Sequence, residues 1–94
     1  MTLEEFAELL GPKAEGNIQG TAKIDLTDLG EIILSATGAE ISDAEADVTL
    51  SASLDVFKAI LDGSQNPMMA YMGGKLKLDG STTRALKISE ILTA

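Results

Sequence analysis

Residues 46–80 read ADVTLSASLDVFKAILDGSQNPMMAYMGGKLKLDG, and the hydrophobic period changes twice within them. Ala46, Val48, Leu50 and Ala52 alternate with Asp47, Thr49 and Ser51, as a strand with one dry face requires. Ser53 breaks the alternation and can cap a helix. Val56, Phe57, Ile60 and Leu61 then recur on one helical stripe until Gly63, which suits the left-handed position that ends helices. Asn66 and Pro67 supply a cap and a first-turn proline for a second, very short helix, closed by Gly73 and Gly74. At Lys75 the period returns to two, with Leu76 and Leu78 inward and Lys75 and Lys77 outward. Because helices join the two strands, the pattern predicts that they lie parallel with a right-handed crossover.

Working outward, Thr2 and Glu5 have the spacing of a capping box. Leu3, Phe6, Leu9 and Leu10 fall on one face of a short helix that Gly11-Pro12 should stop. From Ile18 the period is two, with Ala22, Ile24 and Leu26 on one side. After the turn at 27–30, Ile32, Leu34 and Ala36 repeat the alternation, which reads as an antiparallel hairpin. A weak strand follows around 39–42. Downstream, Gly80 and Ser81 open a last helix carrying Ala85, Ile88 and Leu92. The chain is read as one α+β domain over residues 1–94, a mixed sheet covered on one face by helices.

Composition narrows the chemistry. The chain has 94 residues, no Cys and no His, so thiolate or imidazole metal sites, Cys or His nucleophiles and imidazole bases are excluded. A net charge of −8 repels nucleic acid and anionic bilayers. That charge is uneven: residues 1–47 hold 11 acidic and 2 basic side chains, residues 48–94 hold 4 and 5, so only the second half can welcome an anion. The acidic start and the absence of a long apolar run predict a soluble, cytoplasmic protein without membrane insertion. Asp43, Glu45 and Asp47 do not make a calcium loop, since Val48 and Leu54 stand where Gly and Glu are needed. Gly73-Gly74-Lys75 lacks the rest of a phosphate loop. No carboxylate lies on an apolar stripe where burial would tune it for catalysis, so no catalytic residue, metal or cofactor is expected.

What remains is apolar. Three of the four methionines, Met68, Met69 and Met72, fall within five positions. Met suits either an irregular core gap or a surface that must accept a shape it does not specify.

Residues 46–92 closely resemble the sterol carrier protein type 2 family, the nonspecific lipid-transfer domains. The likeness lies in Asp47-x-Thr49 on a strand, a helix ending at Gly63, then Pro67, Ala70-Tyr71, Gly74-Lys75 and the alternating LKLDG at 76–80. Residues 17–45 fit the family's opening strands by pattern only. The resemblance implies a five-stranded sheet in the order 3-2-1-4-5, helices over one face, and an enclosed apolar tunnel for fatty acyl chains, acyl-CoA or sterol-like lipids, without catalysis. By position it implies that Phe57, Ile60, Leu61, Met68, Met69 and Met72 touch the ligand. The first expectation is therefore a small lipid carrier. The alternative is a non-enzymatic interaction or dimerisation module, docking on an acyl-CoA enzyme or on a second copy.

Overall fold

The computed structural model describes residues 1–93. Ala94, the last residue of the domain expected over 1–94, lies outside the described residues. Strands β1 (Ala22–Leu26) and β2 (Gly30–Ser35) form the expected antiparallel hairpin, and β3 (Gly38–Ile41) adds antiparallel to β2. Strand β4 (Val48–Ala52) pairs with the other side of β1, and β5 (Lys77–Asp79) closes the order β3-β2-β1-β4-β5. Register places Ile41, Ile32, Ile24, Leu50 and Leu78 in one row across all five strands, with Ala39, Leu34, Ala22 and Val48 in the next. Period-two apolar residues thus merge into one apolar face, dry over β1, β2 and β4 and open at the β3 edge, where Ile41 is 44 % exposed.

Four helices cover that face. Helix α1 (Leu3–Ala14) lies over β2 and β3, and α4 (Thr82–Thr93) lies over β4 and β5. Helices α2 (Leu54–Asp62) and α3 (Pro67–Met72) pack onto α4. Phe6, Leu10, Phe57, Ile60, Leu76 and Leu92 fill the space between the layers, each no more than 1 % exposed. Among the described residues every buried side-chain nitrogen and oxygen has a hydrogen-bond partner.

The structure corrects three expectations. First, β4 and β5 run antiparallel, with Ser51 opposite Lys77 and Thr49 opposite Asp79. One crossover helix would return the chain to the far end of the sheet. Here the second helix and its turn undo that return, so β5 starts at the end where β4 finished. The parallel pair is β1 with β4, which the chain reaches from β3 through the segment 42–47 that crosses β2 and β1. That segment passes on the side to which Lys23 points, and the Lys23 ammonium donates to the Asp43 carbonyl at 3.3 Å while pairing with Glu31 at 3.1 Å.

Second, α1 continues through Gly11 and Pro12 to Ala14. A proline in the last turn removes one intrahelical hydrogen bond, and burial of Ala14 against the sheet outweighs it. Glu15 N–H still closes on the Gly11 carbonyl at 2.9 Å. Third, the buried face of α1 is Phe6, Leu10 and Ala14, whereas Leu9 is 47 % exposed. Strand boundaries also tighten: β1 begins at Ala22 although Ile18 is itself buried, and β4 begins at Val48 with Ala46 half-buried.

Candidate functional site

Helix α2 is fixed at both ends by its own sequence. The Ser53 hydroxyl accepts from Val56 N–H at 3.3 Å, and Gly63 takes a left-handed φ of 84° at the C-cap. This sets the phase that turns Phe57 and Ile60 into the core. Phe57 meets Phe6 of α1 edge to face, with ring centroids 6.4 Å apart. Leu61 stands one turn beyond Phe57, and Leu9 one turn beyond Phe6, so each helix carries a further apolar side chain beside the ring contact. Between them lies a shallow groove of about 310 Å³, bordered by Met1, Leu9, Lys13, Lys58, Leu61 and Asp62.

The groove has apolar walls and two ammonium groups at its edge. Asp62, also there, is turned toward Ser64. Hydrogen bonds from the Ser64 side chain and from its N–H at 2.8 Å hold this carboxyl below its ordinary range, with nearby Lys58 adding less. Such an arrangement can hold an apolar chain and meet a negative head with Lys58. It contains no nucleophile set beside a base.

A second hollow of about 320 Å³ is bordered by Asn17, Ile18, Gln19, Arg84, Lys87, Ile88 and Ile91. Its Arg84 is occupied structurally, donating to the Gln19 carbonyl at 2.6 Å and facing Asp47 at 3.8 Å. Asp47 is a joint: its carboxylate accepts from Thr21 N–H at 3.0 Å, and its own N–H donates to the Thr21 hydroxyl at 3.1 Å. Gly80 completes this corner with φ of 91°, and a side chain there would press on the Asp47 carbonyl 2.8 Å away. The Asp47 of the Asp-x-Thr pattern therefore ties the starts of β1 and β4 together through Thr21, and the terminal Gly80 lets the end of β5 pass close to this corner.

The third feature is α3. The Asn66 side chain accepts from Met69 N–H at 3.1 Å, and Pro67 and Ala70 are buried. Met68, Met69 and Met72 are 47 %, 69 % and 78 % exposed, and Tyr71 is 38 % exposed. Met68 also borders a small hollow of about 90 Å³ against Leu86, Ser89 and Glu90 of α4.

The six residues expected to touch a ligand thus occupy three settings. Phe57 and Ile60 are in the core, Leu61 is at the groove, and the methionines are on the surface of α3. Sequence reasoning missed Met1, Leu9, Lys13 and Lys58 as neighbours of Leu61. Only a fourth apolar residue on α1, more than its buried stripe needs, signalled a second use for Leu9.

The fold is thus an open mixed sheet with helices on one face and an apolar groove between two of them. The family model of the SCP-2 sterol transfer family matches residues 3–93, and the chain belongs to that family. It is 34 % identical over 64 residues to hydroxysteroid dehydrogenase-like protein 2 of Mus musculus, a match covering 64 % of this chain and 13 % of that protein. It is 32 % identical over 69 residues to a fatty acid-binding protein of Yarrowia lipolytica, covering 73 % of this chain and 51 % of that one. The chain therefore matches only part of the length of these curated relatives. Among solved structures, sterol carrier protein-2 of Aedes aegypti in complex with palmitate superposes with a TM-score of 0.78 at 19 % identity, over 98 % of this chain and 96 % of that one.

Proposed function

We propose that this chain is a small, non-catalytic lipid-binding domain that takes up a fatty acyl chain between α1 and α2 and carries it through the cytoplasm. The observation that carries the reading is the groove of about 310 Å³ between those helices, with Leu9, Leu61 and Met1 on its walls and Lys58 at its edge, in a chain of the sterol-transfer family. Its volume is at the lower end of the range for small-molecule sites, roughly 300 Å³ upward, and Phe6 and Phe57, one turn from Leu9 and Leu61, are in contact in the core. Uptake parts the two rings. The chain then lies against Phe57 and Ile60 with Leu61 as a side wall, while Met68, Met69 and Met72, exposed on α3, stay outside the groove. Carboxylate, acyl-CoA and sterol-like heads are all accommodated at an edge this open, so binding follows apolar area, about 0.8 kcal/mol per buried methylene.

The test is displacement of a fluorescent fatty acid by palmitate. Leu61 is half-buried at the groove, so Leu61→Glu should keep the fold by circular dichroism and weaken palmitate binding by about tenfold or more. Unchanged affinity in a folded Leu61→Glu protein would sink the groove as the ligand's mouth. A second reading, a module that serves an enzyme's acyl-CoA chemistry, is favoured by the small share of the Mus musculus relative that the chain matches. Native mass spectrometry separates the two: co-purified lipid in stoichiometric amount supports the carrier, and a lipid-free dimer supports the module.

A further inference from the structure

The ligand groove leaves α3 unexplained. A six-residue helix shows Met68, Met69, Tyr71 and Met72 to solvent on several sides while only Pro67 and Ala70 anchor it. This is a protruding tip, not a face, so a protein partner would need a socket around it. A bilayer needs none, because acyl chains flow around any apolar shape and unbranched thioethers adapt to them. Tyr71, partly exposed, has the amphipathic ring that settles at headgroup depth.

Charge selects the same partner. The chain carries 15 carboxylate side chains, yet residues 63–78 hold none, while Lys75 and Lys77 lie within them. The Lys75 N–H bonds to the Ala70 carbonyl at 2.9 Å, which keeps the first of these cations against the end of α3. Both ammonium groups are exposed and without a described partner. At physiological salt, charges beyond about 8 Å are largely screened, so headgroups under the tip meet Lys75, Lys77 and the Glu90 carboxylate beside Met68 rather than the net charge of −8.

We propose that α3 is a membrane-docking tip: Met68, Met69 and Met72 enter the outer acyl layer of a bilayer, and Lys75 and Lys77 contact anionic headgroups. No described helix is long and apolar enough to cross a membrane, so the contact is peripheral and reversible. The proposal goes beyond the lipid-carrier reading and does not depend on it.

The experiment is co-sedimentation of the full chain with vesicles of phosphatidylcholine containing about one fifth phosphatidylserine, and with phosphatidylcholine alone. Wild type should sediment with both and more with the anionic vesicles. Met69→Gln/Met72→Gln should lose about tenfold or more of its binding to both, with unchanged circular dichroism and unchanged affinity for monomeric palmitate. Lys75→Gln/Lys77→Gln should lose only the anionic preference, and added salt should do the same to wild type. The proposal is overturned if wild type binds neither vesicle, or if the methionine variant binds like wild type. It is equally overturned if the methionine variant keeps vesicle binding while losing palmitate, which would make these residues ligand contacts. A wild-type dimer in sedimentation velocity that the same variant abolishes, with no vesicle binding, would assign the tip to self-association and overturn it too. Vesicle binding by a wild type that takes up no palmitate would leave the docking tip standing and remove the carrier reading alone.

Discussion

At the scale of single residues, most of the polar side chains with defined roles act at joints. Thr2 and Glu5 exchange hydrogen bonds at the start of α1, the Glu5 N–H donating to the Thr2 hydroxyl at 3.1 Å and the Thr2 N–H to the Glu5 carboxylate at 2.8 Å. The Thr2 backbone donor, then its hydroxyl, holds the Glu5 carboxyl below its ordinary value of 4.5, as Ser64 holds Asp62 below 3.8. Both folded values lie beneath the unfolded ones, so the stabilisation is fully present above the unfolded values and is lost as pH falls through the lowered ones. Both carboxylates are exposed, so the loss is local. Acidification below about pH 4.5 should therefore fray the first turn of α1 before the core yields. Carboxyl carbon titration by NMR checks this, and a Glu5 midpoint at or above 4.5 would contradict the capping geometry in solution.

At the scale of elements, α1 shows tertiary burial overriding a local breaker. Pro12 cannot donate the hydrogen bond that its position in a helix calls for, yet Phe6, Leu10 and Ala14 gain full burial only if the helix runs on to Ala14. Pro12→Ala should then raise stability by about 1 kcal/mol or more, read from the urea midpoint, because the replacement adds a donor and suits the helix better. A lower midpoint would mean that the proline's restriction of the unfolded chain matters more. The antiparallel entry of β5 belongs to this scale as well. It sets α2, α3 and their turn at one edge of the sheet, beside α4, where α3 can protrude and α2 can face α1.

At the scale of the molecule, the helices divide into those that lie on the sheet and those that reach it through other helices. Helices α1 and α4 lie directly on the sheet, whereas α2 reaches the rest mainly through α4 and meets α1 by the Phe6–Phe57 contact. A domain of this length has about 5–14 kcal/mol of stability, so opening a dry cavity of some 300 Å³, at roughly 24 cal/mol per Å³, would consume much of it. The ligand-free protein accordingly keeps those rings in contact. Palmitate at about 100 times its Kd should add about 2.7 kcal/mol by mass action and slow amide exchange in α1 and α2. Denaturant midpoints and exchange mass spectrometry with and without palmitate measure both. No shift in either would remove the carrier reading and return Phe57 and Ile60 to purely structural duty.

By itself the sequence determined what is local. The change of period from two to helical and back marked β4, α2, α3 and β5, and the caps at Ser53, Asn66 and Gly63 form as read, because a cap depends only on neighbours within a turn. Sheet order was legible through the family signature, whose Asp47 and Gly80 prove to be corner joints. The antiparallel hairpin of β1 and β2 was legible too, but the direction of β5 was not, since periodicity says which face a residue takes and nothing of where the chain re-enters the sheet after two helices. The fate of the apolar surplus was equally hidden. Leu9, Leu61 and three methionines look like core in any count of hydrophobic residues, but a core has finite volume, and Phe6, Phe57, Leu10 and Ile60 already fill it. Only the packed structure could decide which apolar side chains were left outside, and those left outside border the groove and form the tip on which the proposed functions rest.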